Sequence, residues 1–227
     1  SIFYNFGTDG ATAGAKTYYC DDVMFSMTAG PSKAQIDLPI TFNDTANVDY
    51  TVTDFGGNAS TVVVDPTNAA NLVLESVKGA AAQLWAGTTL STPSGLATVI
   101  PFAAGSTSVQ VAVWSPDAGI PIRLKAEDHT DPTRSVETEA IVATASVWDT
   151  LTFDFSNQAA GTAAINFAFT YDMLSIFYNF GTDGATAGAK TYYCDDVYFG
   201  SGGGGGPTLA QSDLPSTWND TANVDCT

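Results

Sequence analysis

A block of 25 residues that the chain spells twice constrains its fold more than any other feature. Residues 1–25 read SIFYNFGTDGATAGAKTYYCDDVMF, and residues 175–199 repeat them with one change, Met24 against Tyr198. A second echo follows each copy, LPITFNDTANVDYT at 38–51 and LPSTWNDTANVDCT at 214–227. The offsets are 174 and 176 residues, the difference being a longer linker before the second echo. Self-similarity of this kind marks a tandem array, and the chain reads as a window of about 1.3 repeats cut from one. Residues 1–25 and 175–199 want the same place in one domain, and only one of them can have it.

The repeat divides the chain accordingly. Residues 1–25 are expected to be the C-terminal strands of a preceding repeat, 26–37 a linker, and 38–199 a complete unit. Residues 200–213 form a second linker, flexible where it reads SGGGGGP, and 214–227 begin the following repeat. A unit of about 160 residues is large enough for a single hydrophobic core. Left free, the apolar strand set of 1–25 is an edge that recruits other chains. The permutation therefore predicts head-to-tail association with neighbouring copies in preference to a closed dimer. Either 1–25 completes the preceding unit, like beads on a string, or it fills the central sandwich and 175–199 is donated onward.

Charge narrows the partners. Seven Lys and Arg stand against 24 Asp and Glu, a formal net charge of −17, which argues against nucleic acid and anionic membrane, since each needs a basic footprint. The balance suits a secreted or cell-surface protein that recruits divalent cations, or one whose acidity serves solubility alone. No apolar run is long enough to span a bilayer, and no signal-peptide pattern is present, so the chain is expected to be a processed product or an excerpt. Cys20 and Cys194 occupy one repeat position and Cys226 another. Cys194 reads as a small buried residue, with an inter-repeat bridge to a Cys226-type position as the alternative.

The text is β throughout. Short runs rich in Val, Ile, Thr and aromatics are separated by turn residues, and no helical period is sustained. Strands are expected at 50–54, 60–64, 71–76, 80–85, 109–114, 122–127, 136–142, 149–155, 165–169, 175–180 and 191–199. That set predicts an all-β, antiparallel sandwich. In 122–127 the apolar Ile122, Leu124 and Ala126 alternate with Arg123, Lys125 and Glu127. Pairing this run with 136–142 places Arg123 and Lys125 on the face that carries Glu137 and Glu139. Such a face either binds sugar hydroxyls or is a ladder of ion pairs that keeps the sheet wet. Trp114 and Trp148 sit in apolar strand patterns and are expected in the core, whereas Trp85, beside Ala86-Gly87, is expected to be partly exposed and able to stack on a sugar. His129 reads as a surface loop residue; no nucleophile elbow or His cluster accompanies it, so no enzyme is expected. Three Asn-x-Ser/Thr sequons at Asn43, Asn58 and Asn219 are the pattern that Asn-rich turns generate freely.

The run from Val113 to Asp128, VWSPDAGIPIRLKAED, then VWDTLTFDF at 147–155 and YYCDDV at 192–197, together resemble carbohydrate-binding-module-like jelly rolls of secreted bacterial polysaccharide-degrading and surface proteins. The resemblance covers most of 38–199. It implies a Ca²⁺-stabilised, extracellular, non-catalytic jelly roll, and departs at Cys194, where such modules usually carry an aromatic. In jelly rolls of this kind the first and last strands are neighbours, so Asp44 and Asp196, with Asn43 and Asp195, are expected to converge on a structural Ca²⁺, a hard cation that takes six to eight oxygen ligands. Adjacent Asp residues on a strand also simply face opposite ways.

Two functions follow. Near-identical tandem sandwiches suit a building unit of an extracellular filament, stalk, adhesin or biofilm matrix, because a stacking interface must match itself at every step. The alternative is a carbohydrate-binding module repeated for avidity on polysaccharide. The first is the leading expectation.

Overall fold

A computed structural model of the chain describes residues 7–20 and 32–200, which fall in two units, Ser1–Ser32 and Lys33–Thr227. In the first unit a single helical turn, α1 (Gly10–Ala13), is capped by Asp9, whose Oδ1 accepts from Thr12 N at 2.7 Å. Tyr19 and Cys20 beyond it are exposed. Half of the expected linker at 26–37 and all of 214–227 lie outside the described residues.

The second unit is a sandwich of two five-stranded antiparallel sheets. Ahead of it, β1 (Ala34–Gln35) and β2 (Val48–Asp49) form a small parallel pair. The remaining strands are β3 (Thr53–Phe55), β4 (Asn58–Asp65), β5 (Asn68–Lys78), β6 (Gly87–Thr89), β7 (Ser108–Trp114), β8 (Pro121–Asp128), β9 (Asp131–Ile141), β10 (Trp148–Asp154), β11 (Met173–Tyr178) and β12 (Lys190–Phe199). One sheet has the order β10-β7-β12-β5-β4 and the other β3-β6-β11-β8-β9. Alternation drives the layering: Ile122, Leu124 and Ala126 are fully buried while Arg123 and Lys125 between them face outward. Val109, Val111, Val113, Leu151 and Phe153 meet them from the facing sheet, with Leu174, Ile176, Tyr178, Tyr192 and Cys194 in the same core.

Residues 175–199 thus supply a central strand to each sheet, β11 to one and β12 to the other, joined by the turn α2 (Gly184–Ala187). Asp183 caps α2 as Asp9 caps α1, accepting from Thr186 N at 2.8 Å. The turn is therefore encoded locally, because it forms in both copies of the block, whether its first glycine is packed against residues 79–82 or open.

Several expectations are corrected. Residues 80–85 are not a strand but two successive turns, closed by Ala82 N–Gly79 O at 2.9 Å and Ala86 N–Gln83 O at 3.0 Å. Residues 165–169 are also a turn, because the Asn166 side chain accepts from Ala168 N and its carbonyl from Phe169 N. Asn43 and Asp44 lie in a loop, between the Ile40–Val197 bridge and β2. Trp114 and Trp148 are half-buried on the outer face of their sheet, packed about Tyr193 at centroid distances of 5.5 and 6.5 Å, and not in the core.

Candidate ligand-binding groove

The outer face of the β3-β6-β11-β8-β9 sheet carries two rows of side chains that run across the strands. Register places Thr53, Thr89, Ser175, Lys125 and Glu137 in one row, all hydroxyl or charged. The next row holds Phe55, Gly87, Phe177, Arg123 and Glu139. Gly87 is required there: a Cβ would lie 3.0 Å from both Phe177 Cδ1 and Phe55 Cζ. Its absence lets those rings meet edge-on at 5.3 Å. Trp85 extends the aromatic row outward, stacked on Phe55 with ring planes 17° apart, and Phe180 closes the other end at 5.7 Å from Phe177.

These rows enclose a groove of about 490 Å³, lined among others by Trp85, Phe55, Phe177, Phe180, Arg123 and Lys125. Of the residues singled out from sequence, Trp85, Arg123, Lys125 and Glu137 all line it, and Glu139 stands beside it as the partner of Arg123. Trp85 is 47% exposed, with its face available above Phe55. Sequence reasoning missed Phe55, Phe177 and Phe180. For Phe177 the signal was present in the alternation of β11, where it falls on the same face as Ser175.

Both cations of the groove are paired with carboxylates. Arg123 donates through Nη1 to Glu137 at 2.8 Å and through Nε and Nη2 to Glu139 at 2.8 and 2.7 Å. Lys125 pairs along its own strand with Glu127 at 2.6 Å. The ion-pair ladder expected across the hairpin is therefore formed by Arg123 alone. A guanidinium has five N–H donors and an ammonium three, so both cations retain donors for a ligand after these pairs are made.

The residues expected to hold a metal lie near the opposite sheet. Asn71 Nδ2 donates to Asp195 Oδ2 at 2.8 Å and Asn43 Nδ2 to Asn71 Oδ1 at 2.8 Å, which ties Asn43 to Asp195 through one amide. Asp195 Oδ1 is buried with no partner of proper hydrogen-bond geometry, although the adjacent Asp196 amide lies close enough to favour the ionised form. Burial pushes this carboxyl up to about 7. Asp196 is exposed at a break in the ladder, with φ 47°, and Asp44 is exposed and bonded to Asn47. Among the described residues, the group of three titratable side chains whose candidate ligand atoms all lie within 4.8 Å of one another is elsewhere, at Asp128, His129 and Asp172. There His129 Nδ1 meets Asp172 Oδ2 at 2.7 Å, while Arg134 and Thr130 occupy the Asp128 carboxylate.

No protein-family model and no curated protein matches this chain. Solved structures do. An exo-beta-agarase is similar at a TM-score of 0.47 and 9% identity, over 71% of this chain and 25% of its own. The family 11 carbohydrate-binding module of the cellulosomal cellulase Lic26A-Cel5E of Clostridium thermocellum gives 0.44 and 14%, over 75% of this chain and 96% of its own. A Clostridium thermocellum xylanase 10B structure containing CBM22-1 and GH10 modules gives 0.41 and 12%, over 75% and 28%. The chain thus spans a quarter of the agarase and nearly all of the family 11 module.

Proposed function

We propose that the sandwich is a non-catalytic polysaccharide-binding module of an extracellular protein. The observation that carries this reading is the meeting of an aromatic strip, Trp85 to Phe180 with Trp85 exposed at its end, with a parallel row of hydroxyl and charged groups in one groove. Sugar rings present apolar C–H faces and hydroxyl edges, and a strip of each kind across the strands matches both. The two cations are already matched by Glu127, Glu137 and Glu139, so the groove favours a neutral glycan over a uronate. Titration of the full chain with soluble mixed-linkage β-1,3-1,4-glucan, against an anionic polysaccharide such as polygalacturonate, tests this. Binding only to the anionic polymer, or to neither, would overturn it.

The duplicated block favours a second reading that is compatible with the first, a unit of a head-to-tail filament, stalk or adhesin. Its support is that residues 175–199 build two central strands of the sandwich and residues 1–25 repeat them at all but one position. Ordered fibres in negative-stain images of native material are the expected result; particles of a single unit overturn it.

We propose also that Ca²⁺ binds at Asp195, with Asn43, Asp196 and Asp44 as the further donors. The buried Asp195 Oδ1 without a partner supports this, and an oxygen-only set of carboxylates and amide carbonyls suits a hard cation.

A further inference from the structure

The loop that presents Trp85 has no strand of its own to hold it, and its anchors come from two sides. On one side is the β3–β4 turn, where Gln83 N donates to Gly56 O at 2.7 Å. On the other is the duplicated block in its seated copy. Gly184 N donates to Ala82 O at 2.8 Å and Gly181 N to Leu84 O at 3.0 Å. Lys78, buried where β5 runs into the same loop, donates through Nζ to Tyr178 O at 2.9 Å and Asn179 O at 3.0 Å. With Gly79 N donating to Gly57 O at 3.1 Å, four backbone carbonyls and amides of one loop are fixed by neighbours, and the block supplies two of the four bonds.

The approach at Gly184 leaves no room for a side chain. A Cβ there would collide with Gly79 O and lie 2.8 Å from both Ala80 C and Ala82 N. At Gly10, the same position of the other copy, nothing lies within 4 Å. Two glycines of identical sequence context and identical helical turn therefore differ only in what they touch.

We propose that the duplicated block, seated as residues 175–199, is the positioning element of the groove: Gly184 and Gly181 clamp the 79–86 loop so that Trp85 stacks on Phe55. Completing the sandwich and assembling the ligand site are then one event, because the strands that close the core carry the turn that sets the aromatic platform. A unit whose slot is empty has neither a closed core nor a placed Trp85. The inference rests on the reading of the groove as a glycan site, and adds to it the element that makes the site competent.

The paired glycines provide the test. Full-length protein labelled with 5-fluorotryptophan gives a separate ¹⁹F resonance for Trp85, assigned from Trp85→Phe, alongside those of Trp114, Trp148 and Trp218. Gly184→Ala is expected to shift or broaden the Trp85 resonance while leaving Trp114 and Trp148 in place. It is also expected to weaken binding of mixed-linkage β-1,3-1,4-glucan by roughly tenfold or more. Gly10→Ala is expected to change neither. Should Gly184→Ala not fold, the milder pair Asp183→Ala and Asp9→Ala removes the same cap from each copy. Only the first is expected to disturb Trp85. An unmoved Trp85 resonance in Gly184→Ala, equal shifts of all the tryptophans, or equal effects in the two copies would each overturn the proposal. A wild-type protein that binds no glucan, yet loses the Trp85 environment selectively in Gly184→Ala, overturns the glycan reading and leaves the clamp standing.

Discussion

Arg123 holds its guanidinium carbon 3.5 Å from the centre of the Phe180 ring while its nitrogens reach Glu137 and Glu139. One side chain therefore joins the aromatic row of the groove to the carboxylates of β9, as a cation over a π face and as a paired donor. Its side chain is 12% exposed, against 33% for Glu139. The cluster thus lies between a surface ion pair, worth roughly 0–1 kcal/mol, and a buried one, whose disruption costs roughly 3–5 kcal/mol.

Arg123→Ala should accordingly lower stability by about 2 kcal/mol, read from urea unfolding. Adding Glu139→Ala should recover part of that loss, since the second carboxylate no longer sits unpaired. Replacing Arg123 and Lys125 together should abolish glycan binding. Glycan binding that survives the double replacement would reduce the charged row to a solvated face.

Trp85→Ala should weaken glycan binding by about tenfold or more, on the order of 1.4 kcal/mol, with little change in melting temperature because the ring is half exposed. Trp114→Ala and Trp148→Ala lie on the outer face of the other sheet and should leave affinity unchanged. Calorimetric titration of the three variants ranks them, and equal losses would place the ligand elsewhere.

Acid should unfold the sandwich through carboxylates at its strand ends. Asp154 is held below the usual carboxylate range by Thr107, with Ser156 and Asn157 helping against burial. Thr130 holds Asp128 down, with Arg134 assisting. A folded-state pKa below the unfolded one means stability present above pH about 4 and lost as pH falls through the folded value. Asp154→Asn should flatten that loss in urea midpoints measured from pH 5 to pH 2; an unchanged slope would show that Asp154 does not contribute.

Asp195 has the opposite sign. Burial raises its carboxyl to about 7, so its contribution favours the fold at low pH and is lost as pH rises from about 4 towards 7. In EDTA at pH 8, Asp195→Asn should therefore melt higher than wild type. With Ca²⁺ added, wild type should gain melting temperature by mass action and Asp195→Asn should not. A wild-type transition unmoved by Ca²⁺ would sink the metal.

Thiol chemistry reports which copy of the block is seated. Cys194 is fully buried, with its thiol pushed up to about 12 by desolvation, whereas Cys20 is exposed. Iodoacetamide followed by peptide mass spectrometry should label Cys20 and spare Cys194 in the isolated chain. In assembled fibres Cys20 should become protected as residues 1–25 close a neighbouring unit, and continued labelling there would argue against strand completion.

The amino-acid sequence by itself determined the layers and the duplication. Alternation in β8 and β9 assigns Ile122, Leu124 and Val136 to the core and Arg123, Lys125, Glu137 and Glu139 to the outer face, because successive side chains on a strand point to opposite faces. The capped turn at Asp9 and Asp183 is equally local, and folds alike in both copies. Only the tertiary structure decided where the alternating faces meet. Phe55 and Phe177 are more than a hundred residues apart and touch because β6 lies between β3 and β11 with a glycine at the crossing. Trp85 was marked by its composition alone. Its place above Phe55 depends on hydrogen bonds from Gly184 and Gly181, made across a sheet order that no local pattern encodes. The same holds for Asp195: two adjacent aspartates look alike in sequence, and the break in the β12 ladder buries one and exposes the other.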